Sequence, residues 1–394
     1  MRFIFLTVPA YGHLNPILGI VRELVRLRHK AVVYNTQEFA EKIKKTGAEF
    51  RVVPFHFNKV DLRLLNNAAN MAETSLYITR LAVPALAEIL QKEKFDCLIH
   101  DSFSLWGKLI SRKIRIPTVS LVTSMAINTK VMLSNLKYLL PDYLQFLRQP
   151  KRMIKLVRDY RLFYKQIGMD PPLIHDIFIN EEKLNIVFTS KYFQPFGNSF
   201  NSNYKFVGPI IYDRGEEIID SNRLGKNKPI VYVALGTVYN DCLETYKTII
   251  DTFVNTPYRV YVSIGSYLKP SDFGKIPDNF VIKNYLPQLS LLKKAQLFIS
   301  HGGMNSINES LFFGVPLLII PFIQEQRINA ARVEKLGAGI YYKRKQINRE
   351  ELTNMVDKVL TTESYKKNAE KIRTALVQAG GIRATIKYIL NIMN

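Results

Sequence analysis

Two polar side chains that could move a proton, His13 and Asp101, each follow a short apolar segment with the character of a buried strand. His13 lies in the stretch PAYGHLNP after the segment at residues 2–8, and Asp101 directly follows the segment at residues 97–100. Because the carboxyl ends of parallel strands meet at one edge of a sheet, we expect the two side chains to lie close together. An imidazole oriented by a carboxylate can take the proton of a hydroxyl and make its oxygen a nucleophile.

The residues after His13 predict where the next helix begins. Asn15 is a good N-cap and Pro16 a good first helical residue, so we expect a helix over residues 15–29 with His13 just before it. The positive end of that helix would disfavour the imidazolium and leave His13 able to accept a proton. A structural role for His13, and a role for Asp101 as the cap of the following helix, stay open on these residues alone.

A second group of polar residues, in the stretch LFISHGGMNSINES, has the pattern of a site for an anion. An apolar strand runs into His301, Gly302 and Gly303, and a helix is expected to begin near residues 305–306. The glycines allow the backbone to approach a ligand closely, and the free N–H groups at a helix start favour an anion such as a diphosphate. Glu309, one turn into the helix, could reach a neighbouring ribose with its carboxylate.

The next strand is expected to end at Pro321, and Gln324, Glu325 and Gln326 follow it on a predicted loop. Carboxylate and amide groups supply the acceptors and donors that sugar hydroxyls need. This loop is therefore a candidate sugar site.

The elements that must position these residues alternate between strands and helices in both halves of the chain. Such alternation predicts an α/β fold with two doubly wound, Rossmann-like domains whose strand ends face one cleft. Helices are expected between the strands, for example over residues 74–94. The predicted strands cover residues 2–8, 31–34, 97–100, 118–121, 230–235, 259–263, 297–300 and 317–320.

Residues 208–229 have few large apolar side chains after Tyr212 and are predicted to link the domains. The first domain then covers residues 1–207 and the second residues 230–379. A helix over residues 380–394 is expected to pack back on the first domain. The chain of 394 residues suits two domains of about 150–200 residues each.

The cysteines and the amino terminus favour a cytoplasmic protein. Cys97 and Cys242 are far apart and match no metal spacing, and Cys97 lies in an apolar run that predicts a buried thiol. The first residues lack the basic start and long apolar core of a secretory signal, so we interpret them as a strand. No run reaches the roughly 18 apolar residues of a membrane span.

The charge is unusual, because the formal net charge is +22. Basic residues outnumber acidic ones 30 to 16 over residues 1–207 and 25 to 17 over the rest, so the excess is not a basic tail. A field of this sign attracts anionic ligands, nucleic acid or a membrane surface without choosing between them. The chain has no aromatic-rich basic sheet or recognition motif for nucleic acid, and we expect no nucleic-acid partner.

The motifs between residues 284 and 331 resemble the UDP-glycosyltransferase superfamily, inverting enzymes that glycosylate plant metabolites, steroids and macrolides. The resemblance rests on YLPQ, HGGMNSINES, GVP, a further proline, EQ and NA, in this order and at the spacing of the family. The GHLNP string that contains His13 is similar to the first loop of the same superfamily. The resemblance implies the glycosyltransferase B architecture of two Rossmann-like domains.

The resemblance also implies a role for each matching residue. His13 would be the general base and Asp101 the carboxylate that orients it. Glu325 and Gln326 would bind the donor sugar. The UDP site would consist of the residues that contact uracil, ribose and diphosphate, namely Thr237, Tyr285, Gln288, His301, Gly303, Asn305, Ser306 and Glu309.

The implied reaction is one displacement at the anomeric carbon, with inversion. No Asp-x-Asp lies where it would hold a metal on the diphosphate, so no obligatory metal is expected. Family habit favours glucose, from UDP-glucose. The chain departs from common family members at Tyr285 and Met304, where tryptophan is frequent, and at Glu325, where aspartate is commoner.

The acceptor pocket of such enzymes belongs to the first domain, where apolar residues that could line it are also plausible members of an ordinary core. Macrolides, flavonoids and other phenols are the acceptors that the resemblance suggests. The candidate lining residues are Phe55, Phe57, Leu76, Met125, Met132, Tyr138 and Leu139.

A predicted helix over residues 150–167 has an apolar face and a basic face. Its basic face is either an ordinary solvated surface or a contact for an anionic membrane. The basic residues placed on it are Arg148, Arg152, Lys155, Arg158, Arg161 and Lys165.

Two alternatives to a soluble-acceptor enzyme are open. A glycolipid synthase at the membrane surface uses the same architecture, but this chain lacks the glycine-rich run before the histidine that such enzymes usually show. A nucleotide-sugar-binding protein without catalysis would be expected to lose His13 or Asp101, and both are present.

Overall fold

The computed structural model describes residues 1–55, 67–174, 176–216, 228–236, 242–344 and 346–393. These residues form two compact units. Unit 1 comprises Met1–Tyr212 and Ala379–Asn394, and unit 2 comprises Asp213–Gln378. The chain passes from unit 1 to unit 2 inside the predicted linker, of which residues 217–227 lie outside the described residues.

The described part of unit 1 contains a seven-stranded parallel sheet with the strand order β3-β2-β1-β4-β5-β6-β7. The order reverses direction between β1 and β4, where Leu6 pairs with His100. The central strands are buried on both faces, which explains their nearly continuous apolar sequences. The strands are β1 Arg2–Leu6, β2 Lys30–Asn35, β3 Glu49–Val52, β4 Cys97–Asp101, β5 Thr118–Val122, β6 Asn185–Val187 and β7 Tyr204–Phe206.

Unit 2 repeats the pattern in its described residues with a six-stranded parallel sheet in the order β10-β9-β8-β11-β12-β13. Here the reversal lies between β8 and β11, where Ala234 pairs with Ser300. The strands are β8 Ile230–Ala234, β9 Arg259–Ser263, β10 Phe280–Lys283, β11 Ala295–Ser300, β12 Leu317–Ile319 and β13 Gly339–Tyr341. The predicted α/β class with two parallel sheets is confirmed.

Helices cover the sheets. Those of unit 1 are α1 Tyr11–Arg26, α2 Ala40–Lys44, α3 Ala68–Gln91, α4 Leu105–Ile114, α5 Thr129–Ser134, α6 Leu136–Arg148, α7 Pro150–Gln166, α8 Asp176–Ile179 and, after unit 2, α15 Gly381–Asn391. Those of unit 2 are α9 Leu243–Phe253, α10 Gln288–Leu292, α11 Met304–Phe312, α12 Gln324–Lys335, α13 Arg349–Thr361 and α14 Glu363–Gln378. Within the described ranges, no helix is both long and apolar enough to cross a membrane.

Helix α1 begins four residues earlier than its sequence predicts. The expected cap at Asn15 is wrong, because Ala10 is the N-cap and its carbonyl accepts hydrogen bonds from the His13 and Leu14 amides. Pro16 lies inside the helix, where it donates no hydrogen bond to the preceding turn. His13 is therefore a residue of the first helical turn rather than the residue before it.

Helix α15 completes the core of unit 1 from the far end of the chain. It packs against α1 and places Ile386 and Ile389 in the same buried cluster as Phe3, Phe5 and the inner side chains of α1. Ile389 is fully buried, so truncation of its side chain would leave a cavity.

We predict that Ile389→Ala lowers the free energy of unfolding of unit 1 by about 2–5 kcal/mol, the usual cost of such a truncation. The chain has one tryptophan, Trp106, which is buried in unit 1, so its fluorescence during urea unfolding follows that unit. Lys387→Ala, on the exposed side of the same helix, is the matched control and should leave the midpoint nearly unchanged. Equal midpoints for both variants would contradict a structural role for α15.

Candidate active site

The point where the strand order of unit 1 reverses brings His13 and Asp101 together. Asp101 is the last residue of β4, and His13 lies in the first turn of the helix that follows β1, the neighbouring strand. His13 Nδ1 lies 2.8 Å from Asp101 Oδ2. The Asp101 side chain is fully buried and that of His13 is 26% exposed. The carboxylate thus holds one nitrogen of a ring that solvent can still reach.

Asp101 is itself fixed by its second oxygen. Oδ1 accepts a hydrogen bond of 2.8 Å from the Phe103 amide, in the turn before α4. The N-cap of α4 is Ser104, so Asp101 stabilises this turn and orients His13 without capping the helix. The Phe103 ring lies edge-on to the imidazole, with 5.2 Å between the ring centroids.

Thr123 is a contact of His13 that sequence analysis missed. Its Oγ1 lies 2.9 Å from His13 Nδ1, and the side chain is buried. Thr123 directly follows β5, the neighbour of β4. Its place after a third strand end is the sequence feature that could have indicated a contact with His13. His100 faces away, as strand alternation predicts. Its Nδ1 donates to the Asp101 carbonyl, and its ring is buried 3.5 Å from Glu182.

In unit 2, His301 follows β11 at the corresponding reversal of strand order. Burial lowers the pKa of His301 to about 4, and a hydrogen bond with the Ala234 carbonyl offsets part of this effect. The ring is therefore neutral near pH 7. Its Nδ1 is buried without a hydrogen-bond partner among the described residues.

Two glycines allow the backbone to lie directly against the His301 ring. A Cβ at Gly303 would come within 2.5 Å of His301 Nε2, and one at Gly236 within 3.0 Å. Gly236 also has a φ of +97°, which side-chain-bearing residues rarely adopt. Glycine is thus required at both positions for steric reasons, and a substitution would displace the ring.

Gly303 is the N-cap of α11, whose first turn contains Asn305 and Ser306, both half-buried. Gly302 precedes it with a φ of +93°, and its carbonyl accepts a 3.0 Å hydrogen bond from the buried Asn329. The amino terminus of α11 follows a glycine turn with fixed geometry, a suitable arrangement for an anion.

Glu309 is almost buried, and both of its carboxylate oxygens are engaged. Gln288 Nε2 donates to Oε2 at 2.6 Å, and the Arg214 guanidinium forms a close hydrogen-bonded ion pair with Oε1. Tyr232 in turn donates to Gln288 Oε1 at 3.3 Å. Sequence analysis missed Arg214, because it lies in the predicted linker, where no motif marks it.

Glu325 and Gln326 lie in the first turn of α12, so their expected placement on a loop is wrong. Glu325 is exposed. Gln326 is buried, and its Oε1 accepts hydrogen bonds from the Phe322 and Ile323 amides, which fixes the start of the helix. Tyr285, before α10, has 54% of its surface exposed.

The remaining candidate residues differ in burial, and two of them are not described by the structure. Thr237 and Phe57 lie outside the described residues. Leu76 and Met125 are buried, and Leu76 belongs to the core beneath α3, which favours its interpretation as ordinary core. The half-buried candidates are Phe55, Met132, Tyr138 and Leu139. Cys97 is buried as expected, which raises the pKa of its thiol to about 12.

No group of histidine, cysteine and carboxylate side chains that could hold a metal ion occurs in the described part of the chain. The geometry thus consists of a histidine–carboxylate pair in unit 1, and a glycine turn with a neutral histidine and a paired glutamate in unit 2.

Comparison with known proteins gives one consistent family. The family described as UDP-glucoronosyl and UDP-glucosyl transferase matches residues 140–376. The NDP-glycosyltransferase YjiC of Bacillus subtilis is 32% identical, over 95% of this chain and 93% of the relative. The oleandomycin glycosyltransferase of Streptomyces antibioticus is 25% identical, over 97% and 89%.

The solved structure of the glycosyltransferase of kitacinnamycin covers 100% of this chain and 99% of its own, with a TM-score of 0.86 and 22% identity. That of CalG4, the calicheamicin glycosyltransferase, covers 100% and 98%, with a TM-score of 0.81 and 24% identity. Both likenesses support the glycosyltransferase B fold that the sequence motifs predict. The chain therefore belongs to the UDP-glucoronosyl and UDP-glucosyl transferase family and is a glycosyltransferase.

Proposed function

We propose that this enzyme moves a hexose, with glucose the first candidate, from a UDP-sugar to a hydroxyl of a small lipophilic acceptor, with inversion at the anomeric carbon. Macrolides, flavonoids and other phenols are the acceptor classes to test first. The observation that carries the proposal is the 2.8 Å contact between His13 and the buried Asp101, in a chain of this family.

The pair in unit 1 suits general base catalysis. The Asp101 carboxylate accepts a hydrogen bond from His13 Nδ1–H, which leaves Nε2 as the nitrogen that accepts a proton. The acceptor hydroxyl gives its proton to Nε2 while its oxygen bonds to the anomeric carbon, and the bond from that carbon to the UDP oxygen breaks. Asp101 stabilises the imidazolium that forms, and Thr123 helps to fix the ring.

Unit 2 is the proposed site of UDP, with the nucleotide contacts divided along the ligand. Tyr285, half exposed, is the proposed stacking partner of uracil, and Gln288 and Glu309 are the proposed contacts of the ribose. The diphosphate is assigned to the glycine turn and the start of α11, where developing negative charge is stabilised. The residues proposed for it are Thr237, His301, Gly303, Asn305 and Ser306.

The donor sugar is assigned to Glu325 and Gln326. The exposed Glu325 carboxylate can accept hydrogen bonds from sugar hydroxyls. Gln326 has its oxygen committed to the backbone, so its proposed contribution is the amide NH2 group. The acceptor is assigned to unit 1 and to the apolar candidates around α5 and α6.

Arg214 is the proposed positioning residue of the ribose site. A carboxylate has about four lone-pair sites, and Arg214 and Gln288 each use one of those on Glu309. The other two can accept the 2′- and 3′-hydroxyls of a ribose. Arg214 thus holds the buried Glu309 carboxylate in one orientation through a charge-assisted hydrogen bond, which is stronger than a hydrogen bond from a neutral group.

A screen for UDP release tests the proposed function directly. UDP-sugars are offered with phenols, flavonoids and macrolides, and the anomeric configuration of each product is determined by NMR. Transfer from a UDP-sugar with inversion supports the proposal, whereas exclusive use of another nucleotide or retention of configuration overturns it.

His13→Ala should lower the catalytic rate by about 10²–10⁴-fold, because that is the usual contribution of a general base, while UDP still binds. Asp101→Asn should lose less, since the base remains although its orientation and the stabilisation of the imidazolium both suffer. His29→Ala is the control, because His29 lies at the opposite, amino-terminal end of the sheet. Turnover by His13→Ala at the control's rate would exclude His13 as the base.

Glu309→Ala should weaken the binding of UDP and UDP-sugar alike, because both ligands contain the ribose. Glu325→Ala should weaken UDP-sugar and leave UDP unchanged. Isothermal titration of both ligands on both variants measures the difference. An equal loss of UDP affinity in the two variants would refute the division of the site into nucleotide and sugar ends.

Arg214→Met should weaken UDP about tenfold or more, as expected for the loss of a charged hydrogen bond that orients Glu309. It should weaken 2′-deoxy-UDP less, because that ligand lacks one of the hydroxyls. Arg214→Lys should recover part of the affinity. The effects of Arg214→Met and Glu309→Gln should not add in the double variant.

Arg373 is exposed, so Arg373→Met is the control for the loss of a positive charge in unit 2. The melting temperature of each variant shows whether it is folded. Equal losses for UDP and 2′-deoxy-UDP in Arg214→Met would show that Arg214 does not act through the ribose.

A further inference from the structure

Helix α7 has a buried face and an exposed face of opposite character. Leu156, Tyr160, Phe163 and Tyr164 are buried and join the core cluster that α3 and α4 share. The exposed face is strongly basic. We name it the α7 outer face, and it consists of Lys151, Ile154, Lys155, Arg158, Arg161, Leu162 and Lys165.

Two large aliphatic side chains lie within this basic face rather than beside it. At 100° per residue the seven positions fall within an arc of about 120°. Ile154 is 67% exposed and Leu162 is 52% exposed, although both belong to an otherwise well-packed helix. A face that only solubilised the domain would gain nothing from these two side chains.

The cations of this face are mostly uncompensated. Arg158 lies 3.4 Å from Asp159, whereas Lys155, Arg161 and Lys165 have no carboxylate of a described residue within ion-pair distance. Arg152 is different, because its guanidinium binds both carboxylate oxygens of Glu73 at 2.6–2.7 Å. The sequence-based placement of Arg152 on the free basic face is therefore wrong, since it joins α7 to α3.

The neighbouring helices extend the same character. Helix α6 packs against α5 and α7, and its Leu136, Leu140 and Leu144 recur every four residues with 43–47% exposure. Leu133, at the end of α5, is 66% exposed. Residues 129–168 hold nine basic and two acidic side chains.

We propose that the α7 outer face docks on an anionic lipid bilayer. Its cations match acidic headgroups, and Ile154 and Leu162 can enter the boundary between headgroups and acyl chains. A nucleic acid would satisfy the cations but offer no apolar phase to the aliphatic side chains. Docking would hold the enzyme where lipophilic molecules partition, and it stands whether or not the acceptor assignment above is correct.

The test is co-sedimentation of the full chain with vesicles of equal parts phosphatidylglycerol and phosphatidylcholine. Lys155→Glu/Arg158→Glu/Lys165→Glu should bind at least roughly 100-fold more weakly than wild type, since each of the three lost cations contributes about fivefold and the added carboxylates are repelled. Lys45→Glu/Lys183→Glu/Lys191→Glu is the matched control. It makes the same change in net charge at exposed positions elsewhere in unit 1 and should bind nearly as well as wild type.

Ile154→Ser/Leu162→Ser keeps every charge and isolates the apolar contribution. It should bind roughly tenfold more weakly or worse, and its residual binding should still decline with added salt. Wild type and all variants should bind only weakly to vesicles of phosphatidylcholine alone, because these carry no net charge. All variants should keep the melting temperature of wild type, which shows that they are folded.

Two results would overturn the proposal. Equal vesicle binding by the α7 charge-reversal variant and its matched control would show that only net charge matters. Unchanged binding by Ile154→Ser/Leu162→Ser, together with equally strong binding of wild type to a DNA duplex, would show a general polyanion surface instead.

Discussion

The parallel order of the strands, which reverses once in each sheet, is the constraint on which the rest of the structure depends. At a reversal the connections leave two neighbouring strands toward opposite faces of the sheet, so their carboxyl ends border a crevice. At the reversal in unit 1, His13 lies in the helix that follows β1, and Asp101 is the last residue of β4. Gly236 and His301 follow β8 and β11 at that of unit 2. The positions of the residues in both sites thus depend on the same topological feature, the reversal of strand order. The buried apolar strands hold that feature in place.

Each site also contains a buried carboxylate whose burial would be costly without its partners. Asp101 is held by His13 and the Phe103 amide, and Glu309 by Arg214 and Gln288. Such pairing offsets the cost of burial and fixes the orientation of each carboxylate. His301 differs from these carboxylates, because burial keeps its ring neutral. The glycines at 236 and 303 let the backbone lie against this ring. The two buried carboxylates thus have hydrogen-bond partners, whereas the buried imidazole of His301 is uncharged.

Sequence reasoning succeeded where local pattern and topology agree. The buried central strands were predicted within one or two residues, and the pairing of His13 with Asp101 followed from their strand ends. It found the three-residue strand Leu317–Ile319 but missed the other strands of three or four residues, such as Glu49–Val52, because so short a segment rarely has a distinct pattern. It also placed the start of α1 four residues too late, because Ala10 rather than Asn15 is the N-cap, and it assigned Glu325 and Gln326 to a loop although they lie in the first turn of α12. Arg214 contacts Glu309 across 95 residues of sequence, and no motif marks it, whereas Thr123 had only its place after β5 as a sign.

The return of α15 to unit 1 has a consequence for synthesis of the chain. Unit 2 is encoded entirely between two parts of unit 1, so the ribosome finishes all the strands and helices of unit 2 before it releases Gly381–Asn391. Until then the apolar surface of α1 that α15 covers stays exposed to water. Unit 2 can therefore close its core before the cluster of unit 1 that α15 completes, and the uncovered apolar surface of α1 can bind chaperones or cause aggregation during this interval.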